Sequence, residues 1–384
     1  MRPNRPTIKY KLLQFLASMN GAAKPASSRG AAKPAPAPGV AAGALPATNR
    51  KRIGLALQGG GAHGAFTWGV LDAPLDDGRL HFDCISGTSA GAMNAIVLAD
   101  GLHRGGSDGA RERLEAFWKG VSRQGGPATA ANDILDRILG FWRMPGFEPL
   151  TYFQQFITPA SPYGLNPLNI NPLKDLLEQL VDFDSVRACQ HVRLFISATN
   201  VRDGKIKIFH NDDLSADALM ASACLPFLFQ AVEIEGEAYW DGGFAGNPAL
   251  FPFFERGGSE DILLVQVSPL RRNEVPTSAN DIMERVSEIT FNSSLLREFR
   301  AIDFVNRLMD EHRLDTSRYR RNRLHRIDAN AALAGRTGAS KLDTSWRFFQ
   351  DLKEAGRSAA KDWLEAHFED VGRQATLDLR KEFL

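Results

Sequence analysis

The sequence predicts an α/β fold, a mostly parallel central sheet flanked by helices, and three observations predict it. Five short apolar stretches of strand length, residues 53–57, 82–86, 192–198, 262–267 and 324–327, alternate with helical patterns. Such alternation is what a parallel sheet with crossover helices requires. The first stretch runs into a glycine cluster, Gly59-Gly60-Gly61-Ala62-His63-Gly64, and then into the start of a helix. The second runs into Gly87-Thr88-Ser89-Ala90-Gly91 and an apolar, alanine-rich helical pattern.

Length and composition set the bounds. A chain of 384 residues suits one large domain or two smaller ones, and 43% hydrophobic residues suit a soluble protein with a sizeable core. No run of eighteen apolar residues exists, so no membrane-spanning helix is expected. Cys84, Cys189 and Cys224 are odd in number and widely spaced. They read as reduced, buried thiols of a cytoplasmic protein, without metal-ligand spacing.

The near-zero net charge hides an asymmetry. Residues 1–52 carry ten Lys or Arg and no Asp or Glu, whereas the rest carries 36 basic and 45 acidic side chains. A basic arm precedes an acidic body. Residues 21–50, rich in Ala, Pro, Gly and Ser, read as a disordered linker. In residues 1–20 the apolar segment is short and broken by Gln14 and Ser18, a poor signal peptide. The expected division is therefore a tail at 1–50 and a catalytic domain at 51–384, with 280–384 as its mainly helical end. The arm, with its Leu12–Met19 apolar patch, is expected to meet an anionic membrane surface, and nucleic acid is not expected as a partner.

Local signals fill in the order. Asn171 caps a helix with Pro172 at its first position. Residues 205–209 and 231–240 read as antiparallel additions, with Asp203-Gly204 as a hairpin turn. Residues 280–310 place Ile282, Val286, Ile289, Leu296, Phe299, Ile302, Val305 and Met309 at helical spacing, which reads as a packing face. Residues 345–383 give two further helical patterns. Aromatics crowd the stretch 131–168: Phe141, Trp142, Phe147, Tyr152, Phe153, Phe156 and Tyr163. They suit a core under an insertion, or a cap that lines an acyl pocket.

The glycine cluster leaves backbone N–H groups uncovered at a helix start, where they hold an anion or a developing oxyanion. Gly59, Gly61 and Gly64 also match the spacing of a dinucleotide loop. The ribose-binding acid of such a loop ends its second strand, and Asp83 stands before the apolar part of its strand.

A serine in a G-x-S-x-G elbow sits on a strained strand-to-helix turn and needs small neighbours. Gly87 and Gly91 supply them around Ser89. Gly105-Gly106-Ser107-Asp108-Gly109 matches the same pattern but follows a polar stretch with no strand, and reads as a loop. Context selects Ser89 as the nucleophile. Its hydroxyl needs a base. Among five Asp-Gly pairs, only Asp241-Gly242-Gly243 follows an apolar strand and precedes a second glycine. A conventional triad would instead draw on His312, His325 or His367.

With these motifs in this order, the chain resembles the patatin-like phospholipase family. The likeness rests on Gly59–Gly64, Gly87–Gly91, Asp241–Gly243 and the Ala221-Ser222-Ala223-Cys224-Leu225-Pro226-Phe227 segment, and runs from about residue 52 to at least 270. It implies a three-layer fold related to the α/β-hydrolases and a Ser89–Asp241 dyad without histidine. It implies an oxyanion hole from Gly59, Gly60 and Gly61, an acyl-enzyme, and lipid acyl esters as substrates, with no cofactor and no metal. Many relatives carry Arg or Lys at the position of His63. A non-catalytic lipid-binding module on the same fold is the remaining alternative.

Overall fold

A computed structural model describes residues 50–124, 161–189, 192–254, 258–315, 319–336 and 338–383. Residues 1–49 of the basic arm and the aromatics from Phe141 to Phe156 lie outside the described residues. By its contacts the chain divides between Ala44 and Leu45, and all described residues belong to the second unit, Leu45–Leu384.

Eight strands form one mixed sheet. In chain order they are β1 (Lys51–Leu57), β2 (Leu80–Gly87), β3 (Arg193–Asn200), β4 (Ile206–Phe209), β5 (Val232–Ile234), β6 (Glu237–Asp241), β7 (Asp261–Gln266) and β8 (Arg323–Asp328). The order across the sheet is β5-β6-β3-β2-β1-β7-β8, with β4 also on β3. The five strands from β3 to β8 run parallel, and β4, β5 and β6 add antiparallel pairs. The five parallel strands are the five apolar stretches expected from the sequence. Residues 231–240 resolve into two strands, because Glu235 and Gly236 both take positive φ (52° and 81°) and close a hairpin. Asp203-Gly204 turns β3 into β4 as expected, with Gly204 at φ 70°.

Alternation along the central strands separates two cores. Leu55 and Leu57 of β1 and Leu263 and Val265 of β7 face one apolar cluster, while Ala56, Ile262 and Leu264 face the other. Helices α1 (Gly64–Asp77), α2 (Ala90–Gln124) and α7 (Trp346–His367) cover the first face. Trp68 meets Trp346 at 5.9 Å between ring centroids, and Trp118 meets Phe349 at 4.9 Å. The second face is covered by α6 (Ala279–Asp310), through Leu295, Phe299 and Ile302. Three shorter helices, α3 (Pro172–Leu180), α4 (Phe183–Ala188) and α5 (Ala216–Ser222), lie between α2 and β5, and single helical turns stand at Pro162–Leu165 and Leu379–Phe383. Asn171 caps α3 as expected, its side chain accepting from the Leu173 N–H at 3.2 Å.

Three expectations need correction. Ile282, Val286 and Ile289 are 45%, 51% and 55% exposed, so the first half of the apolar pattern on α6 is not a packing face. The buried stripe begins only at Leu295. The loop expected at Gly105–Gly109 is confined to Gly105 and Gly106, whose non-helical geometry breaks α2 into two helical stretches, and Ser107–Gly109 belongs to the second of them. Cys84 and Cys224 are buried, but Cys189 is only partly so. Among the described residues no helix is long and apolar enough to cross a membrane.

Candidate active site

The register of the parallel strands sets the site. Leu57 of β1 pairs with Gly87 of β2 on one side and Val265 of β7 on the other. The chain leaves β1 and β2 at the same level of the sheet, so the glycine turn and the serine turn emerge side by side beyond the carboxyl ends. A Cβ built on Gly59 would lie 2.8 Å from Ser89 Cβ.

Ser89 sits at φ 53°, a left-handed conformation that costs a non-glycine residue about 1–3 kcal/mol. The surroundings hold it there. Its N–H donates to Ser222 Oγ at 2.9 Å, and its carbonyl accepts from the Met93 N–H at 3.1 Å as α2 begins. Thr88 Oγ donates to the Gly246 carbonyl at 2.8 Å. Gly91 is required by close approach, since a Cβ there would stand 2.1 Å from the Leu57 carbonyl oxygen. Ser222 belongs to the Ala221–Phe227 segment singled out in the sequence, and its role there is to fix the serine turn.

Asp241 ends β6 and is 1% exposed. Register with Ala198 of β3 places it, its N–H donates to the Cys224 carbonyl at 2.8 Å, and its own carbonyl accepts from Thr199 Oγ at 2.8 Å. Burial pushes its carboxyl up to about 7; the Gly243 N–H, 2.7 Å from Oδ1, and the approaching Ser89 hydroxyl act in the opposite sense. The structure thus brings Ser89 and Asp241 together. Burial and the Asp241 charge push the neighbouring Cys224 thiol up to about 12, which leaves it inert.

The three glycines differ. The Gly59 N–H is already used, donating to Asn247 Oδ1 at 2.7 Å, so it is not a free donor to an oxyanion as the sequence suggested. The N–H groups of Gly60 and Gly61 have no acceptor among the described residues. Gly61 takes φ 59°, and a Cβ there would lie 2.6 Å from the Lys341 carbonyl oxygen, so position and crowding both demand glycine.

Sequence reasoning missed the polar network beneath this turn. Gln58 Oε1 accepts from the Val267 and Ser268 N–H groups at 2.9 and 2.8 Å, while its Nε2 donates to Asn292 Oδ1 at 2.8 Å. Asn292 lies on α6 and donates onward to the Pro269 carbonyl at 3.1 Å. Asn247, fully buried, closes the set by holding Gly59. Glu298, also on α6, accepts from the Leu250 and Phe251 N–H groups at 2.6 and 2.7 Å, and burial pushes its carboxyl up to about 7.

Asn247→Ala should lower kcat roughly ten- to a hundredfold with little change in KM, the rate equivalent of the ~1–3 kcal/mol cost of an unsatisfied buried donor. Steady-state kinetics on a soluble ester checks it. Wild-type kcat in a folded variant would mean that the glycine turn holds itself in place.

The histidines stand elsewhere. His325 is fully buried at the opening of β8, where Nε2 lies 3.1 Å from Asp261 Oδ1 and Nδ1 3.0 Å from Thr376 Oγ. Asp261 starts β7, at the amino ends of the parallel strands, whereas Ser89 follows the carboxyl end of β2. His367 pairs with Asp370 at 2.9 Å, and His312 is exposed just past α6. His63 is buried beside the glycine turn, with Nε2 2.7 Å from Ser340 Oγ. Burial, with Lys341 and Arg336 nearby, pulls it down to about 3, so it is neutral at pH 7. Asp83 lies within β2 and pairs with Arg52 at 2.8 Å, away from any strand end where a ribose acid would stand. Among the described residues no cluster of His, Cys, Asp and Glu could hold a metal ion.

Comparison with known proteins now decides the family. The family model described as Patatin-like phospholipase matches residues 55–254, more than half of the chain. The chain belongs to the patatin-like phospholipase family. The matched span of this patatin-like chain runs from β1 past Asn247 and so includes every motif described above. A cGAMP-activated phospholipase of Pseudomonas aeruginosa is 28% identical over 217 residues, covering 52% of this chain and 55% of that protein. The chain thus spans about half the length of that curated relative. Among solved structures, VipD of Legionella pneumophila is 17% identical, covering 83% of this chain and 67% of that one, with a TM-score of 0.41. The type III effector ExoU is 14% identical, covering 82% and 53%, with a TM-score of 0.30.

Proposed function

We propose that this patatin-like chain hydrolyses acyl esters of lipids through Ser89 and Asp241. The observation that carries the reading is a buried carboxyl poised near neutrality against a serine held on a strained turn. A base titrating close to the operating pH is the efficient one. Asp241 accepts the Ser89 proton as Oγ attacks the ester carbonyl. The negative charge on the tetrahedral intermediate meets the Gly60 and Gly61 N–H groups, which are uncommitted and need no reorganisation. Collapse breaks the C–O bond, and the proton held by Asp241 goes to the departing alcohol. Water then repeats the sequence against the acyl-enzyme, with Asp241 taking its proton. Family membership supports lipid esters as the substrate class. A triad with histidine finds no support, because His325 is spent on Asp261 and Thr376 toward the amino ends of the parallel strands, away from Ser89.

A fluorophosphonate probe tests the proposal. Labelling is expected at Ser89 alone, found by peptide mapping, and is expected to be blocked by prior incubation with a lipid ester. Absence of label on Ser89 in folded protein would refute the reading.

A further inference from the structure

We propose that Lys341 forms an anion subsite beside the Gly60 and Gly61 donors that takes the phosphodiester of a phospholipid substrate. The inference rests on the reading of Ser89 given above and deepens it to a substrate class.

The 3₁₀ turn Gly338–Leu342 is docked on the glycine turn. Ser340 meets His63, and the Lys341 main chain crowds Gly61, with Lys341 Cβ 3.6 Å from where a Gly61 Cβ would stand. Lys341 therefore arises beside the uncommitted N–H groups. Two carboxylates lie near it, Glu284 and Glu288 on α6, and both are taken. Glu288 pairs with Arg272 at 2.8 Å and with Arg285 at 3.1 Å, and Glu284 pairs with Arg272 at 2.6 Å. Lys341 has no ion pair within 4.0 Å among the described residues. Three cations thus face two carboxylates, and one positive charge is left over in a partly buried setting. Buried charges are ordinarily paired, since an unpaired one forfeits its hydration without return.

Neighbouring groups sharpen the imbalance. The Arg336 guanidinium lies 4.9 Å above the Phe348 ring, which in turn meets the His63 ring edge at 6.3 Å. Burial, and then the Lys341 and Arg336 charges, keep His63 neutral, so His63 supplies no charge of its own. Burial disfavours the Lys341 ammonium, and an anion brought to it would restore the balance. Lys341 is largely but not wholly buried. A phospholipid carries its phosphodiester a few bonds from the scissile ester, which suits a lysine packed on the turn that carries the oxyanion donors. A neutral glyceride brings no anion.

The test compares kcat/KM for a lysophosphatidylcholine and a monoacylglycerol of the same acyl chain in mixed micelles. Lys341→Met is expected to lower the ratio of the two about tenfold, chiefly through KM, because charge-assisted hydrogen bonds are the strong ones. Lys341→Arg is expected to keep the ratio within about threefold of wild type, since the charge remains. An equal loss on both substrates would overturn the proposal, because the lysine would then only brace the glycine turn. Calorimetry of wild-type protein with glycerophosphocholine, inorganic phosphate or glycerol needs no substitution. Glycerophosphocholine is expected to bind and glycerol not. Binding of inorganic phosphate with no binding of glycerophosphocholine would assign the site to free phosphate and overturn the headgroup. If wild-type protein shows no Ser89-dependent turnover of either ester, the catalytic reading fails by itself, and the calorimetry still decides the subsite.

Discussion

Ser89→Ala is expected to abolish ester hydrolysis while the fold survives. Ser89 occupies a left-handed turn at φ 53°, and that strain is borne by the main chain. Alanine at the same position carries the same backbone cost, and the Ser222 hydroxyl still receives its N–H. Only the Oγ is lost, from a partly exposed side chain, so no sealed cavity forms. Removing a nucleophile from an acyl-transfer site lowers kcat by roughly 10⁴-fold or more. Turnover of a p-nitrophenyl ester and the melting temperature together check the expectation. Near-normal turnover would discard the assignment, and so would fluorophosphonate label on Ser107. That second serine shares the pentapeptide but sits at a kink inside α2, with no strand behind it.

What could be read in advance follows from how local each signal is. Residues 53–57 and 82–86 declare themselves because a buried parallel strand is a short apolar run, and a glycine-containing turn follows each of them. Ser89 and Asp241 declare themselves because a strained turn restricts its neighbours to small residues within two positions. Asn247 does not, because its role depends on Gly59, 188 residues away, and Gln58 meets Asn292 across 234 residues. No periodicity carries such information. Lys341 is hidden for the same reason: its surplus charge exists only once Arg272, Arg285, Glu284 and Glu288 are assembled around it. The spacing on α6 misled for a different reason. Apolar residues lie on two faces of that helix, Ile282, Val286 and Ile289 on one and Leu295, Phe299 and Ile302 on the other, and only the latter meets the sheet. The Gly59 expectation failed because its N–H is drawn to Asn247 Oδ1, a partner 188 residues away.

Asp241→Asn should be nearly as inactive as Ser89→Ala, and more stable than wild type in alkali. The amide keeps the shape and can still accept the Gly243 N–H, but it cannot take the serine proton, so kcat should fall by roughly 10³-fold or more. The stability effect follows from linkage. Asp241 ionises at about 7 in the folded chain against an ordinary 3.8, mainly through burial. The folded state therefore holds this proton more tightly than the unfolded state does. Below about pH 4 both states are protonated and the group's contribution is fully favourable. As pH rises toward 7 the unfolded chain ionises first, and stability is lost until the folded carboxyl ionises too. Above that the loss is complete and constant. Asparagine never ionises and escapes it, so the variant is expected to melt higher than wild type at pH 8, with the difference vanishing near pH 4. The same titration predicts that wild-type kcat/KM climbs with pH to a plateau, with its midpoint near 7. Melting curves at both pH values and a pH–rate profile decide the matter. A plateau reaching down to pH 5, or an Asn variant less stable than wild type at pH 8, would remove Asp241 as the buried base.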